Sequence, residues 1–153
     1  MTPEEFIDSV ASAAVQSMQA TRIPASFVIA EGALESGWGS SDLYLRGKNI
    51  FGVKVYPGWD GDILQLPTKE YIDGQFVTVS AKWCLYPDYL SCIADHAKFL
   101  QGPRYEHCFA FKTGTDFAIA VQHAGYATDP NYAEKITSII RQHNLGMYDN
   151  VNT

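Results

Sequence analysis

The sequence predicts a mainly helical α+β domain, a helical body with a small antiparallel β lobe flanking a cleft. Three observations predict it. Apolar residues recur at helical spacing towards both ends of the chain, and between about residues 49 and 84 the spacing changes to alternation. A strong two-residue turn signal, Asp73-Gly74, sits inside that stretch. The 153 residues are 46% hydrophobic and 18% charged, values that suit one globular domain with its own core. No repeat, linker or low-complexity tract interrupts them, so residues 1–153 read as a single domain.

Thr2-Pro3-Glu4-Glu5 is a capping box with proline at the first helical position, and it opens a helix to about Ala20. Phe6, Val10, Ala13, Ala14 and Val15 give that helix its apolar stripe. Pro24 opens a second helix from Ala25 to about Ser36, ended by Gly37 and Gly39. Asn49 to Val55 reads as a short strand, followed by a turn at Pro57-Gly58-Trp59-Asp60-Gly61. Leu64–Ile72 and Gln75–Trp83 form the hairpin around Asp73-Gly74. Helix resumes at Tyr89–Leu100, Asp116–Ala124 and Asn131–Gln142, and stops near Gly146.

Several function classes are excluded. The net charge of −6 and the lack of any Lys or Arg run argue against nucleic acid as partner. No stretch approaches the length of a membrane helix. The start, Met1-Thr2-Pro3-Glu4-Glu5, has no basic segment followed by an apolar run, so the expectation is a protein made in the cytoplasm without a signal peptide. Cys84, Cys92 and Cys108 lack metal-ligand spacing; one disulfide or three buried free thiols are open, with free thiols favoured in a reducing compartment. His96, His107, His123 and His143 are scattered, which predicts no metal site. No phosphate-binding glycine loop or nucleophile elbow is present, and no cofactor is expected.

The carboxylates carry the chemistry that remains. A helical glutamate is ordinarily a solvated surface group, but Glu35 falls in the last turn of its helix, where the macrodipole disfavours a negative charge. Ala33, Leu34 and Trp38 stand ready to shield it. Both features favour the protonated form that a general acid needs at neutral pH. With Ile72 and Gln75 paired at the turn, Glu70 faces Val77 and shares a strand face with Leu66, Thr68, Ile72, Val79 and Ala81. That setting is unusual for a charge unless it sits on the rim of the lobe. Asp95 and His96 are further candidates in the third long helix, with Asp95 favoured as a structural hydrogen-bonding group.

The stretch Ala33-Leu34-Glu35-Ser36-Gly37-Trp38-Gly39-Ser40 resembles the signature around the catalytic acid of the bacterial peptidoglycan glucosaminidases, glycoside hydrolase family 73. Lys48–Lys54, Thr68–Tyr71 and the unusual block Ala124–Ala133 agree in the same order, and the resemblance runs from about Pro3 to Leu145. It implies a lysozyme-like fold and hydrolysis of the β-1,4 bond between N-acetylglucosamine and N-acetylmuramic acid in peptidoglycan glycan strands. Glu35 matches the general acid and Glu70 the second carboxylate of the β lobe. Tyr126 and Tyr132 lie in the block that supplies a tyrosine near the reaction centre. Asp95 matches an acidic helix position with a supporting role, and Trp38, Asn49 and Phe51 are expected to line the cleft. One departure stands out: Trp83 and Cys84 occupy positions where the pattern leads us to expect phenylalanine followed by arginine. The expected setting is a monomer acting on the cell wall or periplasm after release or delivery, as a phage endolysin or a delivered lytic effector. A muramidase of the same fold and a non-catalytic wall-binding module are the competing readings.

Overall fold

The computed structural model describes residues 1–150. The amino-terminal helix α1 (Pro3–Thr21) starts where the capping box places it: Glu5 N–H donates to Thr2 Oγ1 at 3.1 Å and Thr2 N–H donates to Glu5 Oε2 at 2.8 Å. Helix α2 (Ala25–Ser36) is apolar nearly all round, and that composition suits a helix buried on every side. It contacts α1 on one side and, on the others, α5 (Gly114–His123), α6 (Tyr132–Gln142) and the 3₁₀ segment Leu145–Asn150. Gly32, in the middle of α2, lets the following loop approach: a Cβ there would lie 2.9 Å from Ile50 Cγ2.

A short helix α3 (Asp42–Gly47), capped by Ser41, follows α2 and was not visible as a periodic pattern. The strand expected over Asn49–Val55 does not form. The Asn49 side chain closes a loop instead: Oδ1 accepts from Val53 N–H, and Nδ2 donates to the carbonyls of Val53 and Cys84, each at 2.9 Å. Only Lys54 bridges to Trp83 as a strand residue would. A side chain that satisfies the local backbone removes the need for a sheet neighbour.

The hairpin matches its expected register. Strands β1 (Asp62–Ile72) and β2 (Gln75–Leu85) pair antiparallel with Ile72 opposite Gln75 and Glu70 opposite Val77. Asp73 and Gly74 both take positive φ, 51° and 79°, which gives the turn whose twist suits a right-handed hairpin. Beyond the lobe run α4 (Tyr89–Ala97), a 3₁₀ turn (Lys98–Leu100), a longer 3₁₀ segment (Pro103–Ala110), then α5 and α6. Tyr89–Leu100, expected as one helix, therefore tightens in its last turn, and the Pro103–Ala110 segment was not anticipated. The three cysteines are buried and free. Among the described residues, no helix is long and apolar enough to cross a membrane.

Candidate active site

The cleft lies at the C-terminal end of α2. Its cavity, about 750 Å³, is walled by Glu31, Leu34 and Glu35 from α2, Phe51 from the loop, His96 and Phe99 from the α4 region, Tyr105, the 126–129 loop, and Tyr132 and Lys135 from α6. Glu35 sits in the last turn of α2, as expected, and the left-handed residue Gly37 caps that turn.

The residues after Glu35 fix the turn rather than touch the cleft. Buried Ser36 donates from Oγ to the Gly32 carbonyl at 2.6 Å and accepts from Gly39 N–H at 2.9 Å. Trp38, at φ 58°, packs edge-on to Phe6 and against the His143 ring, with centroids 5.9 and 4.7 Å away. A non-glycine residue in this backbone region costs about 1 kcal/mol, and the packing of the indole offsets it. The signature is therefore largely a device that ends α2 with its last carboxylate turned to the cleft.

Four residues before Glu35, Glu31 is 3% exposed and is the hub of the site. Tyr132 donates its hydroxyl proton to Oε2 of Glu31, and His96 Nε2 lies 2.9 Å from Oε1 and 3.0 Å from the Tyr126 hydroxyl. Phe51 covers the imidazole face to face, centroids 4.0 Å apart and 11° between planes. Burial is the largest influence on the Glu31 carboxyl and pushes its pKa up, but His96, Tyr132 and Tyr126 together outweigh it and hold Glu31 below the usual carboxylate range. Glu35 moves the other way. Partial burial raises it first and the Glu31 charge raises it further, against an opposing pull from His96. Burial and the proximity of Glu31 push the Tyr126 and Tyr132 hydroxyls far above the ordinary tyrosine range, so both remain protonated donors.

The structure thus brings together Glu35, Tyr126, Tyr132 and Phe51, and it places the other named residues elsewhere. Glu70 is on the hairpin, paired with Lys54 at 3.0 Å, outside the cleft lining. Asn49 is fully buried in its loop. Asp95, also buried, accepts from the Tyr56 and Tyr86 hydroxyls at 2.6 and 2.7 Å. Burial raises the Asp95 carboxyl, but those two hydroxyls and Lys98 prevail and leave it below its usual range, as befits a structural anion tying α4 to the lobe's base. Cys84, at one of the unusual positions, is fully buried, and Trp83 lies under the Lys54 ammonium, 5.6 Å from the ring centroid.

Sequence reasoning missed Glu31. Its signal was present: a lone charge in the middle of an otherwise apolar helix, one turn before the candidate acid. Phe99, 52% exposed on the cleft, was also missed because an isolated helical phenylalanine reads as core.

A helical body, a two-stranded lobe and a solvent-exposed carboxyl of raised pKa in a cleft between helices define a lysozyme-like glycoside hydrolase domain. The particular family follows from comparison: the model described as "Glucosaminidase: Mannosyl-glycoprotein endo-beta-N-acetylglucosaminidase" matches residues 11–145, and the chain belongs to that family. It is 36% identical over 144 residues to the peptidoglycan hydrolase FlgJ of Salmonella typhimurium, covering 91% of this chain and 46% of that protein. It is 35% identical over 153 residues to the exo-glucosaminidase LytG of Bacillus subtilis, covering 96% of this chain and 54% of LytG. Among solved structures, the C-terminally truncated glycoside hydrolase domain of Salmonella typhimurium FlgJ superposes with a TM-score of 0.82 at 35% identity, over 94% of this chain and 99% of that one. The chain spans about half the length of the curated relatives it matches.

Proposed function

We propose that this domain hydrolyses the β-1,4 bond between N-acetylglucosamine and N-acetylmuramic acid in peptidoglycan, with Glu35 as general acid. The observation that carries the reading is the setting of Glu35: open to the cleft, with its carboxyl pushed towards the protonated form by surrounding protein and by the carboxylate one turn behind it. A glycosidic oxygen leaves far more readily as an alcohol than as an alkoxide, so a positioned proton donor is the first requirement of the reaction. Tyr126 and Tyr132 supply hydroxyls beside the reacting region, with Tyr132 also fixing Glu31. The exposed ring of Phe99 offers an apolar face against which a sugar ring stacks, and the buried ring of Phe51, stacked on His96, lines the floor beside it.

Glu70 is the second carboxylate in this reading, working from the lobe. It becomes available to the substrate when the hairpin swings towards the cleft and Lys54 releases it. Recognition rests on shape, stacking and hydrogen bonds, because a chain of net charge −6 gains nothing electrostatically from an anionic wall. The biological setting we favour is lysis by a phage endolysin or a delivered effector acting on the wall.

The test is turnover of purified peptidoglycan by the wild-type protein and Glu35→Gln. The variant keeps the shape of the side chain and removes the transferable proton. Loss of turnover with stability unchanged within about 1 kcal/mol is expected. Clearance of walls at the wild-type rate by Glu35→Gln would falsify the assignment.

A further inference from the structure

The reaction proposed above requires Glu35 to hold a proton, and the structure places a second carboxylate directly behind it. We propose that Glu31 is a positioning residue, a buried carboxylate in the cleft floor whose negative charge keeps the proton on Glu35. This inference rests on the reading of Glu35 as the general acid.

The geometry supports it in three ways. Glu31 and Glu35 are four residues apart on α2, so they lie one above the other on the same helix face, where two negative charges repel. The ionised form of Glu31 is well satisfied: Tyr132 donates to one oxygen, His96 Nε2 lies 2.9 Å from the other, and the Tyr126 hydroxyl completes the cluster. The repulsion is therefore relieved by placing the proton on the less dressed partner, Glu35.

Third, the partners that favour an ionised Glu31 are packed in with it. His96 Nε2 lies within hydrogen-bond distance of both Glu31 Oε1 and the Tyr126 hydroxyl, and its ring lies flat against Phe51. The pull of His96 on Glu35 opposes the Glu31 charge but does not reverse the upward shift that burial and Glu31 produce.

Among the described residues, the other elements lining the cleft place no unpaired cation beside Glu31. The 3₁₀ segment presents Tyr105, the 126–129 loop presents Tyr126 and Asp129, and α6 presents Tyr132 and Lys135. Lys135 is engaged by Asp129 at 2.6 Å. Arg104, on the same 3₁₀ segment, donates to the carbonyls of Ala124 and Gly125.

The experiment is the pH profile of reducing-end release from purified walls by Glu31→Gln. Glutamine keeps the length of the side chain and an oxygen for its donors, and removes only the charge. The alkaline limb is expected to move to lower pH, with activity at neutral pH falling several-fold more than activity on the acid side. A residue that merely ties α2 to α4 and α6 would lower activity and thermal stability without moving the limb, and an unmoved limb overturns the proposal. Carboxyl ¹³C NMR of the wild-type protein gives an answer that does not depend on the variant folding. Glu31 is expected to lose its proton at lower pH than Glu35, and the reverse order overturns the proposal. Failure of the Glu35 reading is recognised separately, because Glu35→Gln would then remain active whatever the titration order of the two carboxyls.

Discussion

The floor of the cleft and the β lobe above it each carry a glutamate that the sequence singles out, and they treat those glutamates in opposite ways. On the floor, Glu35 belongs to a helix buried by four other elements, and its neighbour Glu31 is held by residues from α4, the 126–129 loop and α6. On the lobe, β1 has no fully buried residue, and Glu70 meets a single exposed lysine. A proton donor must be poised within a fraction of an ångström and in a controlled field, which only densely packed elements provide. A residue that joins the reaction from across a cleft can be carried on a two-stranded hairpin, since such a hairpin is marginally stable alone and free to shift as a unit.

This contrast predicts steep effects on the floor and shallow ones on the lobe. The steepest is Phe51→Ala. It removes a buried ring that covers His96 and packs beside Gly32, so chemical denaturation should register a loss of about 3–5 kcal/mol together with most of the activity. Tyr132→Phe comes next. It deletes a donor to a buried carboxylate, a change that costs about 1.5–3 kcal/mol, with a fall in turnover. A loss confined to stability would show that the hydroxyl serves the scaffold alone.

The pH dependence of stability separates the two carboxyls of the floor. Glu31 titrates lower in the folded protein than in the unfolded chain, so its contribution is present above the ordinary carboxylate range and is lost as the pH falls through its lowered value. Glu35 titrates higher when folded, so its contribution is present below that range and is lost as the pH rises through its raised value. Melting temperature should therefore climb from strongly acid solution and then level or decline slightly. Glu31→Gln should flatten the climb, and Glu35→Gln should remove the decline. On the lobe, Glu70→Gln breaks a half-exposed ion pair worth less than about 1 kcal/mol. A lowered turnover number with an unchanged melting curve is expected there. The smallest effect is expected from Phe76→Ser at the hairpin tip, where the ring is 74% exposed and stability should stay within about 0.5 kcal/mol.

The same contrast governs what the sequence made legible. Local devices were readable: the capping box at Thr2, the Asp73-Gly74 turn with its register, and the helix that ends at Gly37 each depend on residues close in sequence. Asn49–Val55 was read as a strand because its composition is that of one, whereas the deciding interaction is the Asn49 side chain folding back on Val53. The 3₁₀ segment Pro103–Ala110 has no period to detect, and it is held by tertiary packing and by Arg104 reaching the carbonyls of Ala124 and Gly125. At the site, Glu35 and the tyrosines could be named from the resemblance, but the network joining them could not. Its partners are 65 and 101 residues apart in the chain, His96 and Tyr132 on Glu31, and only folding brings them together. Asn49 and Asp95 lie in segments that resemble functional blocks, yet the structure gives each a buried bonding role outside the cleft lining.

The central claim, that this fold and this floor cut peptidoglycan on the reducing side of N-acetylglucosamine, is tested most directly by the ends the protein leaves. Purified peptidoglycan would be digested, reduced with borohydride and its fragments weighed by mass spectrometry. Reduced N-acetylglucosamine ends are the predicted result. Reduced muramic acid ends would assign the domain to the other glycan bond, and the absence of new ends would contradict catalysis altogether.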